Sequence, residues 1–213
     1  MYNCSYEYKY ENLLEDFEKR NSGVALLVID VQSVYCAPEY NGDKKTVEIS
    51  KKINSLAEEF RKAAIPVFSI YYSLVQRSPD FYNYNHGMTD FLIRKFEPSA
   101  FEGSFPDIND TLEMLGVKTV ISCGFKQGAC VAATAVDAKK EAKLNSFFIE
   151  DLSSNGRIPD VFLTQYDKHG NKQTRLATEK DFEEAGKHRM ISSGVQFIKS
   201  EKLIQDIKTI RIK

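Results

Sequence analysis

Continuous apolar runs alternating with helix-spaced apolar stripes organise this chain. Residues 24–29 (Val-Ala-Leu-Leu-Val-Ile) form an unbroken apolar run that ends in Asp30, the pattern of a parallel strand covered on both faces. Ile49, Ile53, Leu56, Ala57, Phe60 and Ala64 follow at spacings of 4, 3, 1, 3 and 4, which is one face of a helix. A second strand is predicted over 65–71, with Pro66 at its start, where a missing N–H does least harm. Residues 91–96 supply a short third run. Residues 107–116 place acidic side chains early and Gly116 after the last apolar position, as a short helix does. Next come a strand over 117–123, an alanine-rich helix from Cys130 to about 143, and a fifth strand over 146–150. Thr178 is positioned to cap a helix running to Ser192, followed by a sixth strand over 195–198 and a last helix over 201–207.

Strands alternating with helices predict an α/β fold in three layers, a parallel sheet with helices on both faces. One stretch departs from the rhythm. Residues 161–176 hold two polar-alternating arms around Asp167-Lys168-His169-Gly170-Asn171, a hairpin inserted after strand five, as a lid element or as surface decoration. Residues 1–22 form an extension in which Leu13, Leu14 and Phe17 have helical spacing, leaving 23–213 as the main domain.

Charge narrows the partners. Lys and Arg total 29 against 30 Asp and Glu, so nothing marks a nucleic-acid or acidic-membrane surface, and a small-molecule ligand fits better. The first 20 residues lack a basic start followed by an apolar stretch, so neither signal peptide nor membrane anchor is expected. Cys4, Cys36, Cys123 and Cys130 contain no C-x-x-C pair, which predicts reduced thiols and a cytoplasmic setting.

The chemistry gathers at the strand ends. Asp30 closes strand one, Lys95 lies near the end of strand three, and Cys130 opens the helix after strand four. A parallel sheet brings these ends to one edge, so a carboxylate, an ammonium and a thiol converge there. A helix start and a nearby cation predict a lowered thiol pKa and an available thiolate, with the carboxylate as proton acceptor. Taken singly, Cys130 also reads as a small buried hydrophobe, Asp30 as a strand-end cap and Lys95 as a solvated charge.

These segments resemble the isochorismatase-like cysteine hydrolases, which include nicotinamidases and N-carbamoylsarcosine amidase. Ala25-Leu26-Leu27-Val28-Ile29-Asp30-Val31-Gln32 is similar to the family's first strand and aspartate. Lys95-Phe96-Glu97-Pro98-Ser99-Ala100-Phe101 is similar to its lysine and Ser-Ala-Phe, and Gly124 through Cys130 to Ala135 to its nucleophile segment. The resemblance implies six parallel strands in the order 3-2-1-4-5-6. It implies hydrolysis of a small amide, ureide or carbamoyl substrate through a thioester on Cys130, with Asp30 as general acid–base and Lys95 as electrostatic support. It also implies an oxyanion hole from the backbone N–H groups of Lys126 and Cys130, entered through a non-proline cis bond between Phe125 and Lys126. A homodimer or larger homo-oligomer is implied as well.

Gln32, Tyr35, Tyr72, Phe101 and Phe125 are candidate substrate contacts, and the aromatic residues fit core or subunit packing equally well. Nicotinamidases place a metal on histidines shortly after strand one. Residues 38–52 contain no histidine, and only His86, His169 and His188 occur anywhere, so no metal and no cofactor are expected. The turn Lys126-Gln127-Gly128-Ala129 differs from the Thr, Asp or Asn residues common there, and Lys126 points to an acidic substrate or to solvent. The competing function is a non-catalytic member of the fold that binds a metabolite or protein. A nucleotide-binding reading fails because Asp30-Val31-Gln32-Ser33-Val34-Tyr35 has no glycine where a phosphate must approach.

Overall fold

A computed structural model describes residues 23–40, 42–73, 79–156, 162–166 and 172–211. The predicted extension over 1–22, and the tip of the predicted hairpin, lie outside the described residues.

A mostly parallel sheet carries the fold. Its strands are β1 (Val24–Ile29), β2 (Val67–Tyr72), β3 (Phe91–Lys95), β4 (Ser104–Phe105), β5 (Thr119–Phe125), β6 (Asn145–Ser154) and β9 (Gln196–Ile198). They lie in the order β4-β3-β2-β1-β5-β6-β9, and all neighbours are parallel except β3 and β4. The six parallel strands therefore have the expected order. β4 adds a seventh, antiparallel edge strand that two residues were too few to announce.

β1 is central because all six of its residues are apolar and buried, with helices packed over both faces. One face meets α2 (Lys44–Lys62) and α6 (Ser200–Arg211) through Ile53, Leu56, Phe60, Leu203 and Ile207. The other meets α3 (Ile108–Met114), α4 (Ala132–Lys140) and α5 (Glu179–Ser192) through Ile108, Leu112, Ala135 and Met190. The α2 stripe is the predicted one, and the helix starts before it because Asp43 and Thr46 cap its first turn reciprocally, at 2.8 and 2.7 Å. Thr178 caps α5 in the same way, with Asp181.

β7 (Phe162–Tyr166) and β8 (Lys172–Leu176) form the expected antiparallel hairpin after β6. Arg175 ties it to the start of α5 through a two-pronged contact with Asp181, at 2.7 and 2.6 Å.

Candidate active site

Two backbone devices build the pocket at the carboxyl edge of the sheet. Asp30 leaves β1 with φ 53, in the left-handed region, while its N–H still donates to the Ile70 carbonyl at 2.9 Å. Opposite it, Gly124 pairs with Ile29 at φ 133, and a Cβ there would meet the Ile29 oxygen at 1.9 Å. Only glycine permits this approach, which brings the end of β5 and the chain after it against Asp30. A short helix, α1 (Ser33–Cys36), follows Asp30 and buries Tyr35 and Cys36 beneath the pocket.

After β5 the chain turns at Lys126, itself left-handed at φ 58 and ψ 54. The predicted cis bond is corrected here: the one cis peptide among the described residues is Phe105–Pro106, so Phe125–Lys126 is trans. The left-handed lysine makes the sharp turn in its place. Residues Gln127–Val131 then form a widened π-helical turn before α4, with the Lys126 carbonyl accepting from Ala129 N–H at 2.9 Å and from Val131 N–H at 3.3 Å. Cys130 sits inside this turn and is 6 % exposed. Asn155, buried just past β6, accepts the Gly128 N–H at 2.8 Å, and α5 packs so closely on the turn that a Cβ on Gly128 would meet the Phe182 carbonyl at 2.2 Å.

Asp30, Lys95 and Cys130 meet in this pocket. Lys95 Nζ lies 3.1 Å from Asp30 Oδ2, both side chains being fully buried. The loop after β3 folds back over the ammonium, which donates to the carbonyls of Glu97 (3.3 Å) and Pro98 (3.1 Å). Thr134 Oγ1 on α4 accepts from Ala100 N–H at 3.2 Å and fastens that loop to the helix behind Cys130. Cys130 stands beside both charged groups, within reach of hydrogen-bond interaction with each. Neither Asp30 oxygen has a donor at conventional hydrogen-bond angles among the described residues, so Lys95 holds the carboxylate chiefly as an ion.

Burial raises the Asp30 pKa against the opposing pull of Lys95 and Cys130. Burial also works against the Lys95 charge, yet Asp30 and Cys130 outweigh it and the ammonium pKa rises. The expected acidic thiol is corrected: burial, reinforced by the Asp30 charge, pushes Cys130 up to about 12 despite Lys95. Its seat in a closed pocket beside a carboxylate overrides the helix end. The set therefore places an ammonium and a thiol next to a carboxyl group that, when ionised, can take the thiol proton.

The other candidates divide. Tyr72 places its ring 4.2 Å from Lys95 Nζ, and Tyr35 places its ring 5.2 Å from Lys126 Nζ, so both belong to the pocket. Gln32 is fully buried and clips the Tyr72 backbone, its Oε1 accepting from Tyr72 N–H at 2.8 Å and its Nε2 donating to Tyr72 O at 3.4 Å. Phe125 is buried in the core on the α2 side with Ile121 and Cys123. Phe101 is half-buried against the core on the α4 side. Tyr84 serves a structural network, its hydroxyl bonded to Ser69 (2.7 Å) and to Arg61 (3.2 Å). Asn155 was not singled out from the sequence, since it lies beyond the predicted end of strand five.

The chain's sequence matches the isochorismatase domain over residues 24–156, more than half its length. It belongs to the isochorismatase family. Among solved structures, it superposes on a cysteine hydrolase from Pseudomonas syringae pv. phaseolicola 1448A with a TM-score of 0.68 and 18 % identity, covering 90 % of this chain and 95 % of that one. For pyrazinamidase of Pyrococcus horikoshii in complex with zinc, the values are 0.61, 22 %, 83 % and 98 %. For N-carbamoylsarcosine amidase from Thermoplasma acidophilum they are 0.60, 18 %, 84 % and 97 %. No curated protein sequence matches this family member. At such identities the likeness is one of fold.

The zinc of the Pyrococcus structure prompts a test of the donors here. Among the described residues no group of three or more His, Cys, Asp or Glu side chains could hold a metal ion, and His86 and His188 are both exposed. The donors among the described residues do not fit zinc. No helix among the described residues is long and apolar enough to cross a membrane.

Proposed function

We propose that this isochorismatase-family protein is a cysteine hydrolase that cleaves the C–N bond of a small amide, ureide or carbamoyl compound. The observation that carries the reading is the buried Asp30–Lys95 ion pair at 3.1 Å with the Cys130 thiol beside it. A structural role needs neither a fully buried ion pair, which is expensive to desolvate, nor a thiol facing it.

The chemistry follows from the protonation states. With a pKa near 12 Cys130 rests as a thiol, so attack requires Asp30 to take the Sγ proton as the C–S bond forms. The raised pKa of Asp30 makes its carboxylate a better base than an ordinary one. The carbonyl oxygen becomes an oxyanion, met by the backbone N–H groups of Cys130 and Lys126 at the left-handed turn. As the tetrahedral adduct collapses, the C–N bond breaks and Asp30 returns its proton to the departing nitrogen, leaving a thioester. Water then attacks that carbonyl and gives a proton to Asp30. The C–S bond breaks, the carboxylic or carbamic acid leaves, and the proton returns to Cys130. Lys95 stays an ammonium throughout and keeps a compensating charge beside Asp30 and Cys130.

The test is amine or ammonia release from a panel of small amides, ureides and carbamoyl compounds by the wild type and by Cys130→Ala. Release by the first and not by the second is expected. No release from any compound, with Cys130 inert to alkylation, would leave a non-catalytic binding protein.

A further inference from the structure

We propose that the recess beside Arg94, at the outer edge of the sheet, binds a small aromatic carboxylate, in a site separate from the one that holds Cys130. Arg94 precedes Lys95 on β3, and successive strand residues face opposite sides of a sheet. Lys95 turns to Asp30, while Arg94 shares the α2 side with Leu92 on its own strand and with Tyr71, its partner on β2. β4 runs back along this edge and sets Phe105 opposite Arg94. These four residues and Pro106 line a recess of about 300 Å³, which is the lower end of the range for small-molecule sites.

The guanidinium is held there without being paired. Its centre lies 4.9 Å from the middle of the Phe96 ring and 5.9 Å from that of Phe105, so two aromatic rings fix it. Nε is shut off from solvent and has no hydrogen-bond partner, and Arg94 forms no ion pair among the described residues. Arg61, on the same side of the sheet, shows what such a group ordinarily obtains. Its Nε and Nη2 donate to the two Asp90 oxygens, both at 2.8 Å, and Ser69, two residues before Tyr71, donates to the same carboxylate at 2.8 Å. Asp90 is thereby taken, and the Arg94 fork lacks its acceptor. A charged donor left unpaired in a shielded place is costly, and a carboxylate that supplies two coplanar oxygens relieves that cost. Leu92, Phe105 and Pro106 present an apolar wall, which favours an acid with an aromatic body over an inorganic anion. Phe105 is 67 % exposed, so its ring can swing aside as the ligand enters.

Benzoate is the probe, with benzyl alcohol as a neutral molecule of similar size and the full chain as the protein. The Arg94 Nε–H signal, assigned by NMR in isotope-labelled protein, reports on the site itself. Benzoate is expected to shift this signal saturably and benzyl alcohol to leave it in place. Arg94→Gln should weaken benzoate binding about tenfold or more, as loss of a charge-assisted pair implies. Arg94→Lys keeps the charge without the fork and should recover only part of the affinity. An Arg94 signal that does not move, an equal response to benzyl alcohol, a shift confined to the surroundings of Cys130, or equal benzoate affinity in wild type and Arg94→Gln overturns the proposal. The wild-type signal decides even where a variant fails to fold. None of these outcomes bears on amide hydrolysis, which Cys130→Ala tests separately.

Discussion

Lys95 Nζ lies 3.1 Å from Asp30 Oδ2, and neither side chain has any exposed surface. Two charges so placed are held by each other and by the loop carbonyls of Glu97 and Pro98, so removing one strands its partner. Lys95→Met should therefore cost about 3–5 kcal/mol of stability in denaturant titration, with amide hydrolysis lost in whatever protein still folds. A stability within about 0.5 kcal/mol of wild type would mean that the pair does not hold the edge together.

Asp30→Asn separates forming the nucleophile from using it. The Asp30 carboxylate is one of the causes of the high Cys130 pKa, and Lys95 acts in the opposite direction. Without the carboxylate the thiol pKa drops, so the pH at which Cys130 becomes reactive to alkylation as a free thiolate should move down, while at pH 8 the loss of the base slows attack. Hydrolysis should fall by about a thousandfold, because no group remains to take the Sγ proton or to protonate the leaving nitrogen. An alkylation midpoint that stays in place or moves up would contradict the assigned electrostatics.

The pH profile of kcat/KM carries the same signature. The active form requires Asp30 ionised, and burial raises its pKa from the ordinary 3.8, so the acid limb should have its midpoint above that value. Activity is held above this midpoint and lost as pH falls through it. Cys130 titrates only at about 12, and the Lys95 pKa is raised, so no descending limb is expected below about pH 10. A thiolate acting alone would instead give a rise tracking a pKa near 8.5.

Much of this arrangement was legible in the chain. The apolar runs and stripes announced six parallel strands and their helices, and the parallel topology alone carried Asp30, Lys95 and Cys130 to one edge. Other features were hidden for physical reasons. β6 runs four residues past its predicted end because Glu150 and Asp151 interrupt the apolar run, while the pairing with β5 slips between Ser122 and Gly124 and then resumes. That extension is what delivers Asn155 to the turn. Phe125 shares its parity along β5 with Ile121 and Cys123, which already placed it on the α2 face of the sheet. The thiol pKa depends on burial, which no motif spells out.

Asn155 supplies a check on the turn itself. From its buried position it accepts, at 2.8 Å, the N–H of Gly128, which lies two residues before Cys130. Asn155→Ala removes that acceptor and should lower kcat about tenfold with KM little changed, since it acts through the position of Cys130. Asn155→Asp, which keeps the acceptor, should recover part of the rate. Equal losses in both variants would argue for simple disruption of the fold.

The most direct test of the nucleophile is to quench the enzyme during turnover of a small amide and weigh the intact protein and its peptides. A mass increase equal to the acyl or carbamoyl group, on the peptide that contains Cys130 and absent from Cys130→Ala, is the predicted result. Turnover by Cys130→Ala at the wild-type rate, or an adduct on another residue, would contradict it.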